Sequence, residues 1–142
     1  MAPSRLRTSH LDAIAAMSHL TYTPGGHKPL VWLAGEVKTP PFSADARKEA
    51  GFFLRLLQLG QRLSLPESRP MPTIGPHCHE LRVRDVDHEW RIMLCVEPDA
   101  TVILEVFSKK TAKTPQQVIE ACKRRLKRYR QAAKGDEPKE ER

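Results

Sequence analysis

The strongest constraint on the fold comes from three short runs of residues in which apolar and polar side chains alternate. In residues 80–84, Leu81 and Val83 alternate with charged side chains. Residues 90–96 place large apolar side chains at every other position, with Arg91 between two of them. Turn-forming residues at 85–88 and 97–99 lead into a third run at 101–107. Successive side chains of a strand point to opposite faces, so the pattern predicts an antiparallel three-stranded meander with a core face and a non-core face.

A first strand and two helices complete the predicted fold. The apolar run at residues 30–33 is too short for a helix and is rich in strand-forming residues. Ser43 is placed to cap a helix from about Ala44 to Leu59, and Gly60 follows where a C-terminal cap belongs. The sequence TPQQ at 114–117 predicts the start of a second helix, with Thr114 as its cap. The apolar stripe of this helix is Val118, Cys122, Leu126 and Tyr129.

These elements predict an α+β fold, in which a small twisted antiparallel sheet has an N-terminal helix packed on one face and a basic C-terminal helix. Residues 28–132 form the predicted domain. Residues 1–27 are predicted to be a flexible or partly helical extension, with a short helical pattern around 11–20, and residues 133–142 a disordered polar tail. Residues 61–78 contain four prolines and are expected to cross irregularly between elements. No apolar run has the length of a membrane span, and we expect a cytoplasmic protein without a membrane partner.

The positive charge is concentrated in one part of the sequence. The chain carries 24 Lys+Arg and 17 Asp+Glu, and residues 109–130 hold nine of these basic residues and one acidic residue, Glu120. Basic side chains on the non-core face of the meander, Arg82, Arg84 and Arg91, would lie near Lys109 and Lys110. Such a surface is typical of phosphate binding, although a basic helix alone is more often a solvated face. Glu80 and Glu105 are expected to be ion-pair partners of these cations.

The cysteines and histidines do not predict a metal site. Cys78, Cys95 and Cys122 lack CxxC spacing and are expected to be reduced thiols. His77, Cys78 and His79 are adjacent, and side chains of adjacent residues rarely converge on one tetrahedral ion. We therefore predict no metal and no cofactor. The two histidines could instead supply a proton-transfer group.

Several segments together resemble the RelE/HigB-like toxins of bacterial type II toxin–antitoxin modules, in particular their phage-derived branch. The resemblance covers about residues 28–132. It is carried by KPLVWLAG, EAGFFLRLLQLG, IGPHCHELRVRD, WRIML and VFSKKTAKTPQQVI. The resemblance implies a metal-independent endoribonuclease that cuts mRNA on the ribosome and inhibits translation. The implied partners are mRNA, the ribosome and a cognate antitoxin, expected to be a helix-turn-helix protein.

The resemblance also implies roles for individual residues. Arg91 resembles the strand arginine that stabilises the charged phosphate, and Lys109 or Lys110 the basic residue after the last strand. Arg82 and, less closely, Arg84 resemble basic residues of the preceding strand. Of these, Arg91, Arg82, Lys109 and Lys110 are the candidate catalytic residues. The candidate RNA-binding residues are Arg84, Lys113, Lys123, Arg124, Arg125, Lys127 and Arg128.

One departure from the family pattern leaves other functions open. Many members carry a tyrosine near the C-terminus that assists catalysis, whereas residues 111–117 contain none. Tyr129 lies on the apolar stripe of the C-terminal helix and is expected to be a core residue. The chain could therefore be a non-catalytic RNA-binding or ribosome-binding module, or a toxin-like corepressor, on the same fold.

Overall fold

The computed structural model describes residues 27–110 and 113–135 of the chain. The predicted helical pattern at 11–20, most of the N-terminal extension and the predicted tail after residue 135 lie outside these residues. The described elements follow in the order β1 Leu30–Trp32, α1 Ala44–Gln58, β2 Ser68–Pro70, β3 Cys78–Arg84, β4 Glu89–Val96, β5 Thr101–Ser108 and α2 Gln116–Gly135.

The five strands form one sheet in the order β1-β5-β4-β3-β2. The predicted meander is confirmed, because β3, β4 and β5 pair antiparallel in sequence order. The sheet as a whole is mixed and not entirely antiparallel, because β1 pairs parallel to β5 with Leu30 opposite Thr101. An apolar run as short as residues 30–33 indicates a strand but not its direction, so the sequence could not reveal the parallel pairing.

The segment predicted to be irregular contains a strand. Residues Ser68–Pro70 of β2 pair antiparallel with β3, and Arg69 lies opposite Glu80. The strand has three residues and ends in a proline at the edge of the sheet, where a missing backbone donor is tolerated. A strand of this length and composition has no recognisable alternation, which explains why the sequence prediction missed it.

Helix α1 begins and ends as predicted. The Ser43 hydroxyl accepts a hydrogen bond from the backbone N–H of Ala46 at 3.0 Å, as an N-cap does. The Asp85 carboxylate accepts hydrogen bonds from the Ser43 backbone N–H at 2.9 Å and from Trp90 Nε1 at 3.0 Å. These bonds hold the pKa of Asp85 well below its usual range. Asp85 thereby ties the start of α1 to the turn between β3 and β4.

Helix α1 packs on one face of the sheet and forms the first hydrophobic core. Its buried residues Ala46, Ala50 and Leu54 lie at helical spacing against Leu81 and Ile92 of the sheet.

Beside this core, Gly35 adopts a positive φ of 83°, and a Cβ placed there would lie 2.7 Å from the backbone N of Val106. The close approach of the two backbones requires glycine at position 35.

The opposite face of the sheet is also a core, which corrects the expectation of one apolar and one polar face. Met93, Cys95 and Leu104 are buried under α2 with Cys122 and Leu126, so the predicted stripe of the C-terminal helix is confirmed. The structure also places Val118 and Tyr129 against this second core. Met93 and Cys95 are apolar enough to be covered, and the apolar stripe of α2 covers them.

The start and end of α2 differ from the prediction. The helix begins at Gln116, and its first turn is closed by the Ile119 N–H donating to the Pro115 carbonyl. The Thr114 hydroxyl, which we expected to cap the helix, donates to the buried carboxylate of Glu80 at 2.8 Å. At the other end the helix continues to Gly135, three residues beyond the predicted limit of the domain. No helix among the described residues is both long and apolar enough to cross a membrane.

Candidate phosphate-binding site

The candidate site lies on the α2 face of the sheet, close to the start of α2. Cys78, Glu80, Arg82 and Arg84 of β3 point to this face, because they alternate with Leu81 and Val83 in the first core. Arg91 is directly opposite Arg82 on the neighbouring strand β4. Alternation along β3 and the pairing of β3 with β4 therefore bring Arg82 and Arg91 side by side on the sheet.

Four cationic side chains converge on the carboxylate of Glu80. Its Oε1 lies 3.4 Å from Arg69 Nη2, 3.5 Å from Arg82 Nε and 3.7 Å from Arg91 Nε. Its Oε2 lies 3.5 Å from Lys109 Nζ. We call Glu80 with these four cations and Thr114 the Glu80 cluster. The cluster holds four cations and one buried carboxylate, so its net charge is +3. A phosphate group can offset this positive charge.

The cations of the cluster differ in how far they reach the surface. The Glu80 side chain is 0% exposed, and those of Lys109 and Arg91 are 4% and 10% exposed. Arg82 and Arg69 are 31% and 38% exposed. Arg91 is held further by hydrogen bonds to the Trp90 carbonyl and to Glu89. Arg69 and Arg82 are thus the cations most able to contact a ligand directly, and Arg91 and Lys109 lie beneath them.

The electrostatics of the cluster keep Glu80 ionised. Burial alone would raise the pKa of Glu80, but the hydrogen bond from Thr114 and the charges of Lys109, Arg69 and Arg91 outweigh it and lower the pKa. Burial lowers the pKa of Lys109, although the charge of Glu80 partly opposes this effect. An enclosed, ionised Glu80 can orient cations, but it is poorly placed to exchange a proton with a ligand.

Two candidate residues lie at the border of the cluster. Arg84 is exposed at the end of β3 and lines a cleft of about 240 Å³ with Arg82 and Arg91. The carboxylates of Glu49, Glu67 and Glu89 line the same cleft, so its charge is mixed. Lys110 is exposed and lines a separate cleft beside the turn at 85–89. Among the predicted catalytic residues, the structure therefore groups Arg82, Arg91 and Lys109 but leaves Lys110 apart.

The basic residues of α2 divide into two groups. Arg125 donates to the Leu104 carbonyl at 2.8 Å and pairs with Glu105, as expected for Glu105. Arg130 pairs with Glu97 at 2.7 Å. These two arginines attach the helix to the sheet. The other cations of the helix are exposed, and so is Lys113 before it. They are Lys123, Arg124, Lys127, Arg128 and Lys134.

The histidines and cysteines are separated by the sheet. The side chains of His77 and His79 line a cleft on the α1 face, whereas Cys78 is buried on the α2 face. The proton-transfer role considered for the histidines at the cationic site therefore has no structural support, because they face away from Glu80. Cys78, Cys95 and Cys122 are buried free thiols. Within residues 27–110 and 113–135, no group of three or more His, Cys, Asp or Glu side chains is arranged to hold a metal ion.

Sequence reasoning missed two members of the Glu80 cluster. Arg69 lies in the segment predicted to be irregular, and only the pairing of β2 with β3 brings it opposite Glu80. Thr114 has the sequence context of a helix cap and bonds to Glu80 instead. Glu80 itself indicated that further partners exist, because a buried carboxylate requires several charged or hydrogen-bonding partners. Arg69 and Thr114 are two of these partners.

Comparison with known proteins identifies the family of this sequence. The family model described as "Phage derived protein Gp49-like (DUF891)" matches residues 41–127. The match contains α1, β2, the meander and the first half of α2, and therefore all six residues of the Glu80 cluster. No curated protein and no solved structure matches the chain.

Proposed function

Because the chain belongs to the Gp49-like family of phage-derived proteins, a toxin-like family of toxin–antitoxin systems, we propose that it inhibits translation by cleaving mRNA. We further propose that it acts on mRNA bound to the ribosome, as the RelE/HigB-like resemblance implies, and that a cognate antitoxin restrains it. The observation that supports this proposal is the convergence of four cations on Glu80 at the sheet surface.

The proposed reaction is attack of an RNA 2′-hydroxyl on the adjacent phosphorus. The 2′-hydroxyl gives its proton to water as the bond from the 2′-oxygen to phosphorus forms. The bond from phosphorus to the 5′-oxygen breaks and this oxygen takes a proton from water, so the products are a 2′,3′-cyclic phosphate and a free 5′-hydroxyl. Negative charge on the phosphoryl oxygens increases in the transition state, and preorganised guanidinium groups stabilise such charge. This chemistry requires no metal ion.

The exposures within the cluster assign distinct tasks to its members. Arg82, with Arg69 beside it, would contact the phosphate, because these two side chains reach the surface. Arg91 would strengthen the positive potential from below and reach the phosphate once Glu89, whose side chain is 55% exposed, moves aside. Glu80 holds the cations in position and would not touch the RNA.

Growth and cleavage assays with matched variants test this proposal. Expression of the chain without a partner should stop growth, and the purified protein should cut mRNA in a translating extract. Arg82→Ala and Arg91→Ala should relieve toxicity and slow cleavage by at least ~100-fold, the scale of removing one group that stabilises transition-state charge. Arg91→Lys should restore little, because an ammonium group cannot form the planar bidentate contact.

The control is Lys38→Ala, which removes an exposed cation paired only with Glu36 at the surface. It should be as toxic and as active as the parent protein. If Arg82→Ala and Arg91→Ala cleave mRNA as fast as Lys38→Ala at equal abundance, the assignment of the Glu80 cluster is wrong.

A second candidate function is RNA or ribosome binding without cleavage, including a corepressor role. The burial of Arg91 and Lys109 favours this second function. Cations that do not reach the surface attract RNA electrostatically but do not contact its phosphates directly. Under this alternative the protein would bind ribosomes and leave the mRNA intact. Mapping of RNA ends after induction distinguishes the two functions, since only cleavage produces new 5′-hydroxyl ends.

A further inference from the structure

A second cleft lies on the α1 face of the sheet, on the side opposite to Glu80. It has a volume of about 560 Å³. Leu57 of α1, Leu63 of the following loop and Val96 of β4 form its apolar wall. Ligand clefts for small molecules usually have volumes of about 300–1,000 Å³ and combine an apolar wall with a few polar groups.

The charged side chains that line this cleft are cationic, and two imidazoles accompany them. Lys28 precedes β1, Arg62 belongs to the loop after α1, and His77 and His79 come from the start of β3. Among the described residues that line the cleft there is no aspartate or glutamate. This differs from the 240 Å³ cleft beside Arg82, where three glutamates accompany the arginines. An uncompensated set of cationic and imidazole groups favours an anionic ligand.

His79 provides a second indication of a ligand. Its Nδ1 atom is buried and has no hydrogen-bond partner among the described residues. Burial, followed by the nearby imidazole of His77, lowers the pKa of His79. A buried polar atom without a partner is costly, and a ligand oxygen would satisfy it.

His77 has an unusual backbone conformation. Its φ of 64° lies in the left-handed region, which residues other than glycine seldom adopt. Its carbonyl accepts a hydrogen bond from the Val96 N–H, and this contact fixes the residue at the mouth of the cleft. Backbone conformations of this kind are concentrated at ligand sites.

We propose that this cleft binds a phosphorylated small molecule. Arg62, Lys28 and the two imidazoles hold the phosphate, and the apolar wall contacts an organic group such as a nucleobase. Ser64 and Ser68 line the same cleft and supply hydroxyl groups for the sugar or phosphate oxygens. The site is separated by the sheet from the Glu80 cluster, so this proposal does not depend on RNA cleavage.

Histidine side-chain NMR on the full chain tests the proposal, with inorganic phosphate and adenosine 5′-monophosphate as probes. Both probes should shift the imidazole signals of His77 and His79 in a saturable way, with dissociation constants below about 10 mM. The nucleotide should bind more tightly if the apolar wall contacts the base. Adenosine alone should bind weakly, because it lacks the phosphate.

Two variants and one control make the assignment specific. His79→Gln and Arg62→Gln should each weaken phosphate binding about ten-fold, the effect of removing one charge-assisted hydrogen bond. Arg62 is exposed, so its replacement should leave the fold intact. Arg82→Gln, on the other face, should not change the affinity of this cleft.

The proposal is overturned if phosphate causes no saturable shift of His77 or His79. It is also overturned if Arg82→Gln abolishes the binding and Arg62→Gln does not, because the phosphate would then occupy the Glu80 cluster. Loss of cleavage activity with intact histidine shifts would affect only the proposed function.

Discussion

Replacement of Glu80 by glutamine tests the architecture of the candidate site most directly. Glu80→Gln keeps the size of the side chain and its ability to accept the hydrogen bond from Thr114, but it removes the charge that faces four cations. Removing one partner of a buried ion pair costs about 3–5 kcal/mol. Arg69 and Arg82 can turn into water, so we expect a loss near the lower end, about 3 kcal/mol.

Urea denaturation measures this loss. With an m-value of about 1.5 kcal/mol/M, the midpoint of unfolding should fall by about 2 M urea. The matched control is Glu89→Gln, which removes an exposed carboxylate that also pairs with Arg91, at 3.1 Å. Glu89 is 55% exposed and Arg91 keeps its contact with Glu80, so the control should lose no more than about 1 kcal/mol.

The pH dependence provides an independent measurement of the same effect. The pKa of Glu80 is lowered in the folded protein, so its charge stabilises the fold fully above the ordinary glutamate pKa of about 4.3. This stabilisation is lost as the pH falls through the lowered folded pKa. The difference between the parent and Glu80→Gln should therefore shrink on acidification. Equal midpoints for Glu80→Gln and Glu89→Gln at neutral pH, or a difference that does not change with pH, would refute the reasoning.

Three further predictions concern other parts of the molecule. Asp85→Asn should lower the melting temperature most at neutral pH, because the pKa of Asp85 is lowered in the folded protein and its charge stabilises the fold fully above the ordinary aspartate pKa of about 3.9. This stabilisation declines as the pH falls below that value toward the lowered folded pKa, and melting curves from neutral pH to about pH 2 check this. Gly35→Ala should cost about 1–3 kcal/mol in urea denaturation, because alanine is strained at a φ of 83° and its Cβ would collide with the Val106 backbone. Replacing four exposed cations of α2 by glutamine should leave the melting temperature unchanged and reduce the salt dependence of ribosome binding by about one unit for each phosphate that is no longer neutralised; the replaced residues are Lys123, Arg124, Lys127 and Arg128.

Local sequence signals predicted most of the elements of the fold. The cap at Ser43 and the glycine at position 60 indicated the limits of α1 because capping depends on neighbouring residues only. Strand direction and edge pairing depend on the whole chain, so the parallel pairing of β1 and the existence of β2 were not predictable from their own residues. The start of α2 was misplaced because Thr114 forms a hydrogen bond with a residue 34 positions away.

The candidate site was predictable only in part. Alternation on β3 placed Arg82 and Glu80 on one face, and the pairing of adjacent strands brought Arg91 beside Arg82. Nothing in the sequence indicated that Arg91 and Lys109 would be almost covered, because the exposure of a side chain depends on tertiary packing and not on its neighbours in the sequence. The sequence also left open a proton-transfer role for His77 and His79 at the site. His79 is next to Glu80 on β3, so its side chain points to the other side of the sheet.

The two edges of the sheet limit how another polypeptide can recognise this protein. Both edge strands, β1 and β2, are three residues long, and the last residue of β2 is Pro70. A partner that added itself as an extra strand would gain only a few backbone hydrogen bonds at either edge of the described sheet. An inhibitor, natural or designed, is therefore expected to bind through a helix or a folded surface that contacts side chains. The same short edges leave little template for two copies to join their sheets, which disfavours fibril growth from the folded state at high concentration.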